Sequence, residues 1–115
     1  MTGRAERVAA AIKGELAMLL LREVKDPRVE QAGLVTVTQV EVTRDLRLAT
    51  VLVSFAGADL EAATQAIAAL SRLTGYLRGE LARRLTLRRA PDLRFVHDRS
   101  AEYAAHIDAL LKDDK

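Results

Sequence analysis

The sequence predicts one α+β domain in which helices cover one face of a small, mixed, three-stranded sheet. Three observations predict this class. The 115 residues fit one compact domain with a single core. Half of the residues are hydrophobic and 30% are charged, a balance that can bury a core and differs from that of disordered chains. Hydrophobic spacing switches between helix and strand periods in the order α-β-β-α-α-β-α. We place the domain at residues 1–112 and expect residues 113–115 to fray.

The first predicted element is an amphipathic helix from Arg4 to about Val24. Apolar residues recur at helical spacing between Val8 and Leu20, and charged residues lie off that stripe. The pair Asp26-Pro27 follows and ends the helix, because proline disfavours helical backbone at the residue before it.

Two strands joined by a tight turn come next. The segments 34–42 and 47–55 are rich in β-branched residues, and the link 43–46 is short enough for a hairpin. In the first strand, Val35 and Val37 share one parity whereas Val40 and Val42 share the other. This change indicates either a bulge near Thr38-Gln39 or burial on both faces.

The second half of the chain predicts two helices, a strand and a last helix. Asp59 can cap the second helix, and the helical pattern resumes after a joint at 71–75. A glycine inside a helix costs about 1 kcal/mol relative to alanine, so Gly75 indicates a kink or a short joint. Alternation around Phe95 predicts the third strand, and Ser100 can cap the last helix. The helix pair joins strands two and three, so we expect a right-handed crossover with parallel pairing.

Basic residues are concentrated in the middle of the chain, although the formal net charge is only +2. Residues 72–99 hold eight arginines and three acidic residues, a balance of +5, whereas residues 1–71 sum to −1 and residues 100–115 to −2. Fourteen of the 18 basic residues are arginine, whose planar guanidinium suits phosphate better than the ammonium of lysine does. A solvated helix face would explain an isolated charge run, but this local concentration favours an anionic partner.

Several classes of function have no residues to support them. The chain has no cysteine, and its two histidines, His97 and His106, are not in a zinc-ligand spacing. We find no nucleophile paired with a base and no glycine-rich phosphate loop, so we expect no enzyme, no catalytic residues, no metal and no cofactor. No apolar run approaches the roughly 18 residues of a membrane span, which predicts a soluble, cytoplasmic protein without membrane contact. Four aromatic residues are too few for a base-stacking platform, so any RNA contact must depend on phosphates and shape.

The element order is that of the type II KH domain, an RNA-binding fold whose middle helices are usually joined by a GXXG loop. No GXXG is present. Seven recognisable blocks follow one another along the chain: Arg4-Ala-Glu-Arg-Val8, Val24-Lys-Asp-Pro-Arg28, Leu34-Val-Thr-Val-Thr38, Val42-Thr-Arg-Asp-Leu46, Gly75-Tyr-Leu-Arg78, Arg83-Arg-Leu-Thr-Leu-Arg88 and Pro91-Asp-Leu-Arg-Phe95, the last followed by Asp98 and Ser100. In this order, the blocks resemble those of the bacterial ribosome-binding factor A family.

The resemblance implies a type II KH-like fold in which an Ala-x-Gly helical kink replaces the GXXG loop. The kink aligns with Leu73-Thr74-Gly75, so that Leu73 stands at the usual alanine position. The resemblance also implies a non-catalytic assembly factor that binds the free small ribosomal subunit, contacts 16S rRNA and assists its late maturation and processing, notably in the cold. A maturation GTPase is implied as a further partner, and we expect a monomer.

We predict that an arginine-rich surface contacts rRNA phosphates. Arg78 lies off the apolar stripe of its helix, and the run 83–89 follows it closely. Arg4 and Arg7 at the start of the first helix either join this surface or are simply solvated. Arg44 in the hairpin turn is either an RNA contact or a turn residue without that role. The alternative function is a helical interaction or dimerisation module without an rRNA role. The candidate RNA-binding residues are Arg4, Arg7, Arg44, Arg72, Arg78, Arg83, Arg84, Arg88, Arg89 and Arg94.

Overall fold

The computed structural model describes residues 3–113, and residues 1, 2, 114 and 115 lie outside this range. Within the described residues, three strands and four helices follow one another in the order expected, and a fifth, short helix lies between the first helix and the first strand. The elements are α1 (Arg4–Arg22), α2 (Pro27–Gln31), β1 (Val35–Val42), β2 (Leu48–Phe55), α3 (Leu60–Arg72), α4 (Thr74–Arg84), β3 (Asp92–His97) and α5 (Ser100–Asp113).

The sheet has the order β1-β2-β3 and is mixed, as predicted. β1 and β2 form an antiparallel hairpin, and β2 pairs with β3 in parallel. The pairing register of β1 shifts between Val37 and Gln39, so Thr38 is the extra residue of a β-bulge. The bulge explains the change of parity that the sequence left open.

One face of the sheet forms the core with α1, α3 and α4. Alternate residues of β2, from Ala49 to Phe55, are buried on that face. The helices contribute fully buried leucines, among them Leu16 from α1, Leu70 from α3 and Leu81 from α4. Burying each such side chain stabilises the fold by about 1.5–3 kcal/mol. The amphipathic spacing of the helices therefore fixes which face meets the sheet.

The short helix α2 was not predicted. The first helix ends at Arg22, and Asp26-Pro27 begins a new helix rather than only ending the previous one. The Asp26 carboxylate accepts a hydrogen bond from the backbone amide of Arg28 at 2.8 Å, and Pro27 occupies the first helical position. Proline is favoured there because that amide has no helical partner to lose.

The joint between α3 and α4 lies at Leu73, whose φ and ψ angles of −95° and 4° interrupt the helix. Thr74 and Gly75 are already the first residues of α4. A Cβ atom added at Gly75 would meet nothing within 4 Å. The predicted kink is therefore confirmed, but its centre is Leu73, and Gly75 is an ordinary helical position.

The last helix leaves the core. Asp98 accepts a hydrogen bond from the backbone amide of Ser100 at 2.9 Å, and its other oxygen lies 2.5 Å from the hydroxyl of Thr38 in the bulge. Every side chain described from Tyr103 to Lys112 is exposed. Asp113 is the last residue of α5, so the predicted frayed tail lies mostly outside the described residues. No helix within residues 3–113 is long and apolar enough to cross a membrane.

Candidate nucleic-acid interface

Arginines from three separate parts of the chain meet in one cleft. The first turn of α1, the β1-β2 turn and the loop 85–91 enclose a cavity of about 240 Å³. A second cavity of about 310 Å³ adjoins it and shares Arg4, Val8 and Leu87. We call the two cavities together the basic cleft. Its lining comprises Arg4, Arg7, Val8, Ala11, Asp45, Leu46, Arg47, Leu85, Leu87, Arg88, Arg89, Ala90 and Pro91.

The start of α1 supplies two of these arginines. Arg4 and Arg7 are exposed and line the basic cleft. Gly3 is the N-cap and offers no side-chain hydrogen bond to the first turn. The backbone amides of a first helical turn carry partial positive charge, which adds to that of the arginines, while the carboxylate of Glu6 in the same turn offsets part of it.

The β1-β2 turn supplies a second wall, and Asp45 holds its shape. Asp45 Oδ1 accepts hydrogen bonds from the Thr43 hydroxyl at 2.7 Å and from the Arg47 backbone amide at 3.1 Å. These two bonds lower the pKa of Asp45, so the carboxylate is ionised at neutral pH. Leu46 has a φ angle of +60°, and both Leu46 and Arg47 line the cleft. The turn thus places one acid beside several arginines.

The loop 85–91 is tied to α4 by Arg78. The Arg78 guanidinium donates hydrogen bonds to the backbone oxygens of Pro91 and Ala90, both at 3.1 Å, and lies 3.2 Å from the Asp92 carboxylate. Arg88 and Arg89 on the same loop are exposed. Arg78 therefore acts within the protein, where it fixes the loop that presents the other two arginines.

Arg83 and Arg84 are paired with acidic residues. Both guanidinium groups hydrogen-bond to Glu80 one turn earlier, and these bonds lower the pKa of Glu80. Arg84 also lies 4.0 Å from Glu15 of α1 and 3.9 Å from Glu23, the residue that follows α1. This end of α4 is accordingly close to neutral and connects two helices.

The remaining candidates lie apart from the cleft. Arg72 ends α3 beside α2, where the pKa of Asp26 is lowered mainly by hydrogen bonds from Arg28 and to a smaller extent by the charge of Arg72. Arg94 is exposed on β3, between two buried neighbours, and so points away from the core. The kink residues Leu73, Thr74 and Gly75 do not line the cleft either.

The structure thus brings together four of the ten predicted arginines: Arg4, Arg7, Arg88 and Arg89. Arg44 is exposed in the turn that forms one wall. Sequence reasoning missed Arg47 and Leu46, although the spacing of two arginines around a hairpin turn was a usable signal. The cleft combines positively charged side chains with apolar ones, Val8, Leu46 and Leu87, which we call its floor. This combination suits a polyanion that also carries apolar groups. No group of three or more His, Asp or Glu residues is placed to hold a metal ion in the described part of the chain.

Comparison with known proteins gives one consistent result. Residues 4–111 match the family described as ribosome-binding factor A. Ribosome-binding factor A of Moorella thermoacetica is 47% identical over 111 residues, which cover 96% of this chain and 89% of that protein.

Solved structures agree with the sequence relatives. The crystal structure of ribosome-binding factor A from Thermus thermophilus superimposes with a TM-score of 0.70 at 32% identity, covering 84% of this chain and 97% of that one. Homology-based coordinates of the Thermus thermophilus factor, fitted into an electron cryomicroscopy map of its complex with the 30S subunit, give a TM-score of 0.68 at 33% identity, with the same coverage.

Proposed function

The chain belongs to the ribosome-binding factor A family, and from this premise we propose that it binds the free small ribosomal subunit through its basic cleft. The observation that carries the proposal is the fit of a relative of the same fold into a map of a 30S complex. The cleft supplies the chemistry such a partner requires. Its arginines come from three parts of the fold, and each has a planar donor group that matches phosphate oxygens.

The role we propose is assembly without catalysis. The factor contacts 16S rRNA and assists its late maturation and processing, in the cytoplasm and most visibly in the cold. It acts as a monomer that a maturation GTPase releases. Phosphate contacts orient a protein on RNA but carry no information about the base sequence. Recognition of the correct site therefore depends on the shape of the folded subunit.

Among the arginines, we assign direct contact to Arg88 and Arg89 ahead of Arg83 and Arg84. The first pair is exposed on a loop at the cleft, whereas the second pair is bound to Glu80. A guanidinium that leaves a carboxylate to meet a phosphate gains little net free energy, because one ion pair replaces another.

Co-sedimentation tests the proposal. The purified chain is centrifuged with small subunits, large subunits and whole ribosomes at low and moderate salt. We expect selective sedimentation with free small subunits, weakening as salt rises because RNA binding releases counterions. Equal sedimentation with all three particles, or with none, contradicts the proposal.

A second candidate function, self-association, is favoured by one observation. The helix α5 exposes four large side chains, Tyr103, Ile107, Leu110 and Leu111, with exposed fractions between 37% and 68%. Their spacing of three and four residues places them along one helical stripe that a second copy could cover. Sedimentation velocity separates the two functions, since a concentration-dependent dimer that is lost in Leu111→Lys supports self-association and a constant monomer mass excludes it.

A further inference from the structure

We propose that the basic cleft receives one unpaired nucleotide of the RNA, with its phosphate on the arginine rim and its base against the apolar floor. The inference rests on the proposed function and makes it more specific. A surface that only tracks phosphates can be flat and entirely polar. This cleft contains two adjoining, partly open cavities of about 240 and 310 Å³, the second of which alone is within the size range of small-ligand sites.

The floor of the cleft offers contacts that phosphate does not need. Val8, Leu46 and Leu87 are each half-buried and line the cleft together with the arginines. No aromatic side chain lines either cavity. A base would therefore lie against these aliphatic groups and the planar faces of guanidinium groups, which also stack on bases. A nucleotide combines the two chemistries that the walls present.

The backbone beside the cleft indicates that Leu46 is there for its side chain. Leu46 and Thr86, with φ angles of +60° and +53°, are the non-glycine residues of positive φ within the described chain, and both belong to segments that enclose the cleft. This backbone region costs free energy in residues with a Cβ atom, and glycine avoids that cost. At the other two positive-φ positions the chain does use glycine, namely Gly33 and Gly57. Leu46 lines the cavity, whereas Thr86 does not.

Asp45 argues for a nucleotide over a bare phosphate. Its Oδ1 atom is engaged with Thr43 and Arg47, and the carboxylate lines the same cavity as the arginines. A negative charge at this point opposes a simple anion. The Oδ2 atom can instead accept a hydrogen bond from an amino or imino group of a base, as carboxylates do when they bind base edges.

The test compares three RNA hairpins of one stem sequence by fluorescence anisotropy. The first is fully paired, the second has one bulged nucleotide, and the third has an abasic bulge that keeps the sugar and phosphate. Burial of roughly 60 Å² of the base against the aliphatic groups of the floor contributes roughly tenfold in affinity. We therefore expect the bulged hairpin to bind about ten times more tightly than the other two.

Two matched variants assign this preference to the cleft. Leu46→Gly removes the side chain from the floor and relieves the backbone, so we expect the fold to persist while the preference for the bulge falls to near onefold. Thr86→Gly relieves the backbone in the same way at a residue whose side chain does not line the cleft, and we expect it to keep the tenfold preference. Thermal melting of both variants shows that the comparison is made between folded proteins.

The outcomes separate this inference from the proposed function. Equal binding of the bulged and abasic hairpins overturns the nucleotide site and leaves a phosphate surface. So does a preference that survives in Leu46→Gly, and so does a lack of hairpin binding in a protein that still sediments with small subunits. Failure to sediment with small subunits overturns the proposed function itself, whatever the hairpins show.

Discussion

Replacing Arg78 with methionine should destabilise the protein markedly, although the sequence places this residue among the RNA contacts. The change Arg78→Met keeps the aliphatic stem of the side chain and removes its donors. The guanidinium donates to the backbone oxygens of Ala90 and Pro91, both buried residues, and pairs with Asp92. Loss of the donors leaves two carbonyl groups without these partners in the loop that carries Arg88 and Arg89.

The magnitude follows from the contacts. A hydrogen bond from a charged donor contributes about 1.5–3 kcal/mol, and the lower end applies here because a third of the Arg78 side chain is exposed. The pair with Asp92, whose side chain is 68% exposed, adds at most about 1 kcal/mol. With two such bonds lost, we expect a total loss of about 3–4 kcal/mol, which corresponds to a fall in melting temperature of roughly 12–16 °C for a domain of this size.

Calorimetry and urea unfolding measure the loss, and Arg83→Met is the matched control. The Arg83 side chain is 71% exposed and its partner lies on the same helix, so we expect less than about 0.5 kcal/mol there. Equal stability of the two variants would refute the reasoning. A variant of Arg78 that melts normally but binds small subunits weakly would make Arg78 a direct contact after all.

Three further predictions follow from the same structure. The double change Arg88→Ala with Arg89→Ala should weaken small-subunit binding and reduce the slope of log affinity against log salt by about one per lost contact. A slope equal to that of the wild type would contradict the assignment of these two arginines as phosphate contacts. The pKa of Asp98 is lowered to about 2 by hydrogen bonds from Ser100 and Thr38, so this carboxylate stabilises the fold above about pH 4 and ceases to do so as pH falls toward 2. In urea unfolding at pH 7, the free energy of unfolding of Asp98→Asn should therefore be about 1–2 kcal/mol below that of the wild type, and this difference should shrink near pH 2.5. A difference that stays constant with pH would exclude stabilisation by the ionised carboxylate. Gly75→Ala should stabilise the fold by about 0.5 kcal/mol through helix propensity and so raise the melting temperature by roughly 2 °C, and a lowered melting temperature would show that the joint needs glycine.

Most of the fold could be predicted because its elements are marked by local patterns. Hydrophobic spacing predicted four of the five helices and all three strands of the described residues. The change of parity in β1 indicated the bulge that the pairing register places at Thr38. The helix α2 was missed because Asp26-Pro27 is both a helix stop and a helix start, and spacing does not choose between them. The joint was predicted at residues 71–75 with Gly75 as its marker, and the interruption lies within that range at Leu73, which packs against the core.

The candidate site was harder to predict, because charge pairing is a tertiary property. Arg84 is close to Arg88 in sequence, yet folding brings Glu15 of α1 and the following Glu23 near Arg84, whereas Arg88 lines the basic cleft. The cleft likewise joins the α1 start, a hairpin turn and a distant loop, so Leu46 lines a cavity with residues that lie far from it in the sequence.

Ultraviolet crosslinking of the chain to free small subunits, followed by mass spectrometry of the crosslinked peptides, tests the central claim most directly. The account predicts crosslinks between 16S rRNA and three segments: the first turn of α1, the turn 43–47 and the loop 85–91. Crosslinks confined to α5 or to the paired end of α4, with these three segments unmodified, would contradict it.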